Sequence, residues 1–345
     1  MTGLRLGPPG FWQADGATAR LLSPAAAVVA AITARRVARE GWRAPVAVIC
    51  CGNAGVGGAG KTTVALDLLR RLAARGVAVH ALTRGHGGRA RGVLRVGPDT
   101  PASVAGDEAL LLAACAPTWV SSDRAAGARA AVEAGAGCLV MDDGLQNPGL
   151  AQDCGLLVID GAVGFGNGRV LPAGPLREPV AAAAGRCRAA VLIGEDRRGV
   201  LASLPPALPV LRARLVPQGG GHLAGRRVFG FAGIARPSKF YDTLAATGAT
   251  LAGTMDFPDH HRFRDGELRR LLASAARLDA VPVTTPKDAV RLPDAVRAVV
   301  EVLGVALAWE DEAAWEALLD AVFEAGKVEA LPQTPPKARL WNPLV

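Results

Sequence analysis

Residues 55–62 read Gly55-Val56-Gly57-Gly58-Ala59-Gly60-Lys61-Thr62 and fit the pattern GxxxxGK(S/T), with Thr63 next along the chain. An apolar, β-branched run at 46–51 precedes this stretch, and a segment with helical periodicity at 62–74 follows it. A glycine-rich turn between a strand and a helix lets successive backbone N–H groups face phosphate oxygens. The stretch therefore predicts a phosphate loop, in which Lys61 contacts phosphate and the Thr62 hydroxyl ligates Mg²⁺. The alternative is an ordinary glycine-rich turn.

Strand-like apolar runs alternate with helical segments along the first two thirds of the chain. The runs predicted as strands lie at 46–51, 77–82, 118–121, 138–141, 155–159 and 189–193. The segments predicted as helices lie at 62–74, 107–115 and 124–134. This alternation predicts an α/β fold of the P-loop NTPase type, which is a parallel sheet with helices on both faces.

The remaining segments predict a second, smaller α/β lobe and an N-terminal helix. A stretch rich in proline and glycine at 205–225 is interpreted as a linker. The strands predicted after it lie at 227–232, 250–257, 281–284 and 306–309. An uncharged, alanine-rich segment at 21–34 lies between arginines and predicts an amphipathic helix, on a membrane surface or against the body of the protein. The predicted regions are 1–44 for this membrane-associating helix, 45–215 for the phosphate-loop domain and 216–345 for the second lobe.

The amino-acid composition limits the kinds of partner that the protein is expected to bind. The 345 residues carry a formal net charge of +8, which suits nucleic acid, an anionic membrane surface or a phosphorylated substrate about equally. With 8 Phe, 6 Trp and 1 Tyr, the chain is poor in the aromatic platforms that single-stranded nucleic acids need. The 6 cysteines form no CxxC pair and favour a reducing cytosolic compartment. No apolar run reaches the ~18 residues of a membrane span.

A second strand candidate ends in two acids. The apolar run at 138–141 is followed by Asp142, Asp143 and Gly144. Open α/β sheets bind ligands at the C-terminal ends of their strands, so these acids are candidates to hold the metal ion of a nucleotide. The alternative is a plain turn, since Asp-Gly is a common turn pair. The string Thr-Pro-Lys-Asp at 285–288 has the wrong order for guanine recognition, which favours ATP over GTP.

Asp107 and His260 lie far apart in the chain, and two interpretations are open for each of them. Asp107 opens a predicted helix and is either an N-cap or part of the chemistry. His260 and His261 follow Asp259, and adjacent side chains on an extended segment point opposite ways. One histidine paired with a carboxylate in catalysis is therefore more plausible than a zinc site, and a structural surface role is the alternative.

Two glycine-rich loops present basic residues. Arg177 lies in a stiff loop at 164–179, where it either neutralises the charge of a transferring phosphoryl group or is solvated. Arg84 and His86 lie in a glycine-rich loop after a predicted strand, and the same two interpretations apply to them.

Taken in order, these sequence motifs resemble those of the tetraacyldisaccharide 4′-kinase family, which belongs to the lipid A pathway of Gram-negative bacteria. The resemblance runs nearly end to end, and the shared order of its motifs makes it specific. The matching strings are Pro9-Gly-Phe11-Trp12, the GN…VGGxGKT loop from Gly52, Arg84-Gly-His86-Gly, Gly106-Asp107-Glu108, Asp142-Asp143-Gly-Leu-Gln146, 167–178, 231–237, Phe257-Pro-Asp259-His260 and Lys287-Asp288.

The resemblance implies an ATP- and Mg²⁺-dependent kinase that is peripheral to the cytoplasmic face of the inner membrane. Its substrate would be a tetraacylated glucosamine disaccharide 1-phosphate, phosphorylated at the 4′-hydroxyl. We expect neither a nucleic-acid partner nor an obligate protein partner. Carried over by position, Asp107 and His260 form a dyad that receives the hydroxyl proton. The other positions are Lys61 and Arg177 for catalysis, 55–63 for nucleotide binding, Thr62, Asp142, Asp143 and Glu178 for the metal, and Arg84, His86 and Gln146 for the substrate.

The sequence also departs from the family pattern. His86 stands where the family commonly has Tyr, Asn147 where it has His, Pro286 where an acid is common, and Thr63 where Pro is frequent. None of these is a dyad or metal position. Two other classes stay open, a P-loop ATPase or nucleotide switch without a lipid substrate, and a basic membrane- or nucleic-acid-binding protein with a vestigial phosphate loop.

Overall fold

The computed structural model describes residues 9–324, which form two sheets with helices around them. The nine strands of the larger sheet are β1 (Ala47–Gly52), β2 (Val79–Thr83), β3 (Val93–Arg95), β4 (Thr118–Ser121), β5 (Cys138–Asp142), β6 (Cys154–Asp160), β7 (Ala189–Ile193), β8 (Val210–Gln218) and β13 (Gly304–Trp309). The four strands of the smaller sheet are β9 (Arg227–Ala232), β10 (Thr250–Asp256), β11 (Val281–Thr284) and β12 (Glu301–Val302). The helices are α1 (Ala17–Leu21), α2 (Ser23–Val37), α3 (Lys61–Ala74), α4 (Ala102–Ala105), α5 (Asp107–Ala113), α6 (Arg124–Glu133), α7 (Val180–Ala184), α8 (Pro237–Ala245), α9 (Asp265–Arg277), α10 (Pro286–Ala289), α11 (Asp294–Arg297) and α12 (Glu312–Glu324).

The large sheet places three strand ends side by side. Its order is β13-β8-β7-β6-β1-β5-β2-β4-β3, with antiparallel pairing only at the two edges. Strand β1 lies between β6 and β5 and is parallel to both, with Cys51 opposite Asp142. Because parallel strands end at the same edge of a sheet, the segment after β1, Asp142 of β5 and Asp160 of β6 come together there.

Helices cover both faces of the large sheet, as predicted. On one face, α3 and α12 bury Leu68 and Trp315 in a core with the inward side chains of the strands. On the other face, α2, α6 and α7 bury Ala26, Ala128 and Ala183. The central strands are buried along their whole length, which explains their continuous apolar sequences. The α/β class is confirmed.

The smaller sheet forms the lobe that the sequence predicts. Its strands run in parallel in the order β10-β9-β11-β12. Helix α8 packs Phe240 and Leu244 on one face, and α9 packs Leu268 and Leu271 on the other. We call residues 227–302 the small lobe, and the larger sheet with its helices the large lobe.

The structure corrects two assignments near this lobe. The interpretation of 205–225 as a linker is wrong, because β8 occupies Val210–Gln218 and joins the large sheet. Its alternation of buried Leu211 and Ala213 with exposed arginines is a strand pattern, which the flanking prolines and glycines obscured. The strand predicted at 306–309 exists as β13, but it pairs with β8 in the large sheet rather than in the small lobe.

The N-terminal helix is present as α1 and α2. Leu22 and Val29 face the core around buried Ala26. Leu21, Val28 and Ile32 remain 80%, 58% and 59% exposed. None of the helices within residues 9–324 has the length and apolarity needed to cross a membrane. Parts of the predicted first and last regions, 1–8 and 325–345, lie outside the described residues.

Candidate active site

The phosphate loop connects β1 to α3. Gly57 and Gly60 adopt φ angles of 108° and 91°, in a region that side chains disfavour. A Cβ at Gly60 would also lie 2.6 Å from the side chain of Ile193. Since α3 begins at Lys61, the unpaired N–H groups of its first turn are available to an anion in the loop.

Lys61 is held over its own loop. Its Nζ donates to Asn53 Oδ1 at 3.3 Å and to the main-chain oxygen of Gly57 at 3.4 Å. The same atom lies 3.8 Å from Asp143 Oδ1. These contacts place a positive charge between the glycine-rich loop and the end of β5.

Thr62 and Asp142 form a pair at the sheet edge. The Thr62 hydroxyl donates to Asp142 Oδ2 at 2.8 Å, whereas the buried Oδ1 has no hydrogen-bond partner among the described residues. Burial, with the nearby charge of Glu108, raises the pKa of Asp142 to about 7. A buried carboxylate oxygen without a partner is costly, and a hydroxyl beside a carboxylate matches the ligands that Mg²⁺ prefers. These two residues therefore fit a magnesium ion.

Asp143 is paired with Arg177. Its backbone is left-handed, with φ of 56°, and its carboxylate accepts bonds from Arg177 Nη1 at 2.7 Å and Nη2 at 3.1 Å. Burial acts to raise the pKa of Asp143, but Lys61 and Arg177 outweigh it and hold that pKa below its usual range. Asp143 thus orients a guanidinium group at the cleft, and its own oxygens are already engaged.

Gln146 and Glu178 lie buried behind this pair. The Gln146 amide donates to the main-chain oxygen of Asn53 at 2.9 Å and to Glu178 at 2.8 Å, and it accepts from Arg177 at 3.2 Å. Glu178 is 2% exposed and accepts two bonds from Arg186, at 2.7 and 2.8 Å. Glu178 is therefore not among the contacts of Thr62 and Asp142, the two residues that fit a metal ion. Gln146 supports the neighbouring loops and does not line the cleft.

Asp107 and His260 meet across the two lobes. His260 Nδ1 lies 2.9 Å from Asp107 Oδ2, although the residues are 153 positions apart. The N-cap interpretation of Asp107 is wrong, because Gly106 caps α5 with φ of 87° and Asp107 begins the helix. Burial acts to raise the pKa of Asp107, but the His260 hydrogen bond and Arg291 outweigh it and lower that pKa. Asp107 is therefore an ionised partner for the imidazole.

Lys287 contacts the other nitrogen of this histidine. Its Nζ lies 3.2 Å from His260 Nε2, 3.3 Å from Glu108 Oε1 and 3.4 Å from Asp259 Oδ1. Burial acts to lower the pKa of Lys287, but the two acids outweigh it and raise that pKa. A neutral imidazole that donates from Nδ1 to Asp107 and accepts at Nε2 satisfies both contacts. No role was predicted for Lys287 from the sequence, although Lys287-Asp288 is one of the family motifs, because its contact with His260 joins residues 27 positions apart.

The loop with Arg84 and His86 lies beside the dyad. The rings of His86 and His260 pack edge to face at 5.2 Å, and a Cβ at Gly87 would lie 3.6 Å from His260 Nδ1. Arg84 is exposed on the same loop. His261 turns away and contacts Glu267 at 2.8 Å, so the adjacent histidines do point apart. The reason differs from the one expected, because His260 lies in a turn with φ of 57° rather than on an extended segment.

One cleft between the lobes connects these groups. It has a volume of about 2230 Å³ and extends from the phosphate loop to the dyad. Its lining includes Lys61, Arg177, His86, Glu108, His260 and Lys287. A phosphate-binding loop and an ionised acid–histidine pair thus share one cavity, which suits phosphoryl transfer to an acceptor group.

The family model for tetraacyldisaccharide-1-P 4′-kinase matches residues 18–324. The chain belongs to this family. The tetraacyldisaccharide 4′-kinase of Gluconacetobacter diazotrophicus is 64% identical over 316 residues, which cover 90% of this chain and 97% of the relative. That of Rhodospirillum centenum is 57% identical over 321 residues, covering 90% and 95%.

A solved structure of the tetraacyldisaccharide 4′-kinase family has the same fold. It is LpxK from Aquifex aeolicus in complex with ATP, with a TM-score of 0.70 and 25% sequence identity. The match covers 88% of this chain and 99% of that chain. The resemblance found in the sequence is confirmed, and the chain is a kinase, an ATP-binding transferase of lipid A biosynthesis.

Proposed function

We propose that the protein transfers the γ-phosphate of ATP to the 4′-hydroxyl of a tetraacylated glucosamine disaccharide 1-phosphate, with Mg²⁺, at the cytoplasmic face of the inner membrane. The observation that carries this proposal is the Asp107–His260 contact of 2.9 Å, in which His260 lines the same cleft as the phosphate loop. The complex of Aquifex aeolicus LpxK with ATP supports ATP as the donor.

The phosphate loop and its neighbours bind the donor. Backbone N–H groups of 57–62 surround the β- and γ-phosphates, and Lys61 supplies a point charge. Thr62 and Asp142 would hold Mg²⁺, which would supply charge neutralisation at the phosphate oxygens. Arg177, oriented by Asp143, contributes a second charge as negative charge builds on the phosphoryl group.

The dyad accepts the proton of the acceptor hydroxyl. As the 4′-oxygen forms its bond to the γ-phosphorus, the bond from that phosphorus to the β,γ-bridging oxygen breaks and ADP leaves. The hydroxyl proton passes to the Asp107–His260 pair. The ionised Asp107 is the acceptor within this pair, and His260, which donates to it from Nδ1, is oriented by Lys287 at Nε2.

The N-terminal helix brings the enzyme to its lipid substrate. Val28 and Ile32 on the outer face of α2 insert between lipid chains, and the exposed Arg35 and Arg39 contact anionic head groups. The net charge of +8 suits both an anionic membrane and an anionic acceptor.

ADP formation with and without the disaccharide separates this function from that of an ATPase or nucleotide switch. We expect ADP release that requires Mg²⁺ and rises at least tenfold when tetraacyl-disaccharide 1-phosphate is added in detergent micelles. Equal ADP release with empty micelles would favour the ATPase.

A further inference from the structure

The two lobes are joined by an ionic contact separate from the dyad. Asp160 ends β6 of the large lobe, and Arg236 and Lys239 lie at the start of α8 in the small lobe. Lys239 Nζ donates to Asp160 Oδ2 at 2.8 Å, and Arg236 Nη2 donates to the same oxygen. We call these three residues the Asp160 cluster.

The carboxylate of this cluster is fixed in place. The Asp160 side chain is 5% exposed, and its Oδ1 accepts from the main-chain N–H of Ala162 at 3.0 Å. The two cations are about one-third exposed. A buried carboxylate that accepts hydrogen bonds from two charged donors contributes more to the contact between the lobes than an exposed surface ion pair does.

The cluster lies beside the phosphate loop. Strand β6 adjoins β1, from which the loop departs. A Cβ built on Gly58 would lie 4.0 Å from Ala235 Cβ, so the segment that carries Arg236 touches the loop. Arg236 and Lys239 also line the cleft that contains the loop.

The orientation of the small lobe matters because that lobe supplies His260 while the large lobe supplies Asp107. We infer that the Asp160 cluster is an ionic latch, which holds the small lobe over the phosphate loop and thereby positions His260 for Asp107. This inference rests on the proposed function for its catalytic consequence. Its members are positioning residues, and a displacement of about 1 Å at a reacting group is enough to cost ~10² in rate.

Two variants break the latch from opposite sides. D160N removes the buried charge, and R236Q/K239Q removes both cations from the more exposed side. The control is E195Q, because Glu195 follows the neighbouring strand β7 and its ion pair is with Arg197, within the large lobe.

We expect D160N and R236Q/K239Q each to lower kcat by about 10- to 100-fold, with the KM for ATP changed less than threefold. The combined D160N/R236Q/K239Q variant should lose no more than the worse of the two, since both remove one contact. E195Q should match the wild type. If R236Q/K239Q raises the KM for ATP while D160N keeps the wild-type kcat, the cations act on phosphate directly and the latch is wrong.

Hydrogen exchange tests the latch without any catalysis. In the protein without nucleotide or lipid, D160N and R236Q/K239Q should speed amide exchange severalfold at 57–60 and at 233–240, but not in β5. Wild-type exchange at both segments would overturn the latch. A wild-type protein that fails to phosphorylate lipid would overturn the proposed function instead. If D160N does not fold, R236Q/K239Q alone decides the question.

Discussion

The guanidinium group of Arg36 donates a hydrogen bond to the main-chain oxygen of Gln146 at 3.1 Å. Arg36 belongs to the N-terminal helix α2, and Gln146 follows the two acids at the end of β5. The Gln146 side chain continues this chain of contacts to Asn53 and Arg177. The helix that we place on the membrane is thus bonded directly to the loop that supports the phosphate site.

The first prediction concerns Arg36. R36Q should lower kcat about 3- to 10-fold on micellar substrate, because a hydrogen bond from a charged donor contributes about 1.5–3 kcal/mol and this one is partly solvated. The matched control is R269Q, which removes the same charge from an exposed position on α9 that does not line the cleft. Steady-state measurement of kcat tests this prediction. Equal losses of kcat in the variant and its control would show that Arg36 acts only through its surface charge.

The second prediction concerns the dyad. D107A and H260A should each lower kcat by about 10² or more, and the double variant should lose little beyond that, since the pair acts as a unit. The dissociation constant for ATP, measured by titration, should change little. H261A is the control, because His261 contacts Glu267 rather than the dyad. Equal and mild losses of kcat in H260A and H261A would show that His260 takes no part in catalysis.

The third prediction concerns membrane contact. V28S/I32S should weaken binding to vesicles containing anionic lipid about tenfold or more, since each exposed apolar side chain contributes up to about 1.5–3 kcal/mol when buried. V299S is a suitable control because Val299 is 57% exposed in the small lobe, close to the 58% of Val28. Co-sedimentation with vesicles measures the effect. Unchanged binding of the double variant would place the membrane contact elsewhere.

The fourth prediction concerns stability and pH. Burial acts to raise the pKa of Asp160, but Lys239 and Arg236 outweigh it and lower that pKa in the folded protein. An acid with a lowered folded pKa stabilises the fold above its unfolded pKa of about 3.9, and this stability disappears as pH falls through the folded pKa. The Tm of D160N should therefore lie below that of the wild type at pH 7 and approach it below about pH 4. A Tm difference that stays constant with pH would contradict this assignment.

The sequence predicts those parts of the site that neighbouring residues encode. The phosphate loop needs only the glycine pattern between a strand and a helix, and Asp142 needs only its place at the end of a buried strand. The contact between Asp107 and His260 joins residues 153 positions apart, so no local pattern reveals it. It was expected only through the family resemblance.

Other features depend on packing that no single segment determines. Asp160 ends a buried strand just as Asp142 does, which is a signal that could have marked it, but its cationic partners lie 76 and 79 positions away. Glu178 stands in a family motif, yet its environment is set by Arg186, which fixes it away from the cleft. Strand β8 was missed because prolines and glycines at its two ends obscured its alternation.

The most direct test of the account is the transfer of labelled γ-phosphate from ATP to tetraacyl-disaccharide 1-phosphate in detergent, with the product analysed for the position of the label. We predict a bis-phosphorylated product labelled at the 4′-position, which forms with Mg²⁺, is absent with EDTA and falls at least ~10² in D107A. A protein that binds ATP but leaves the label in ATP or in free phosphate would contradict the account.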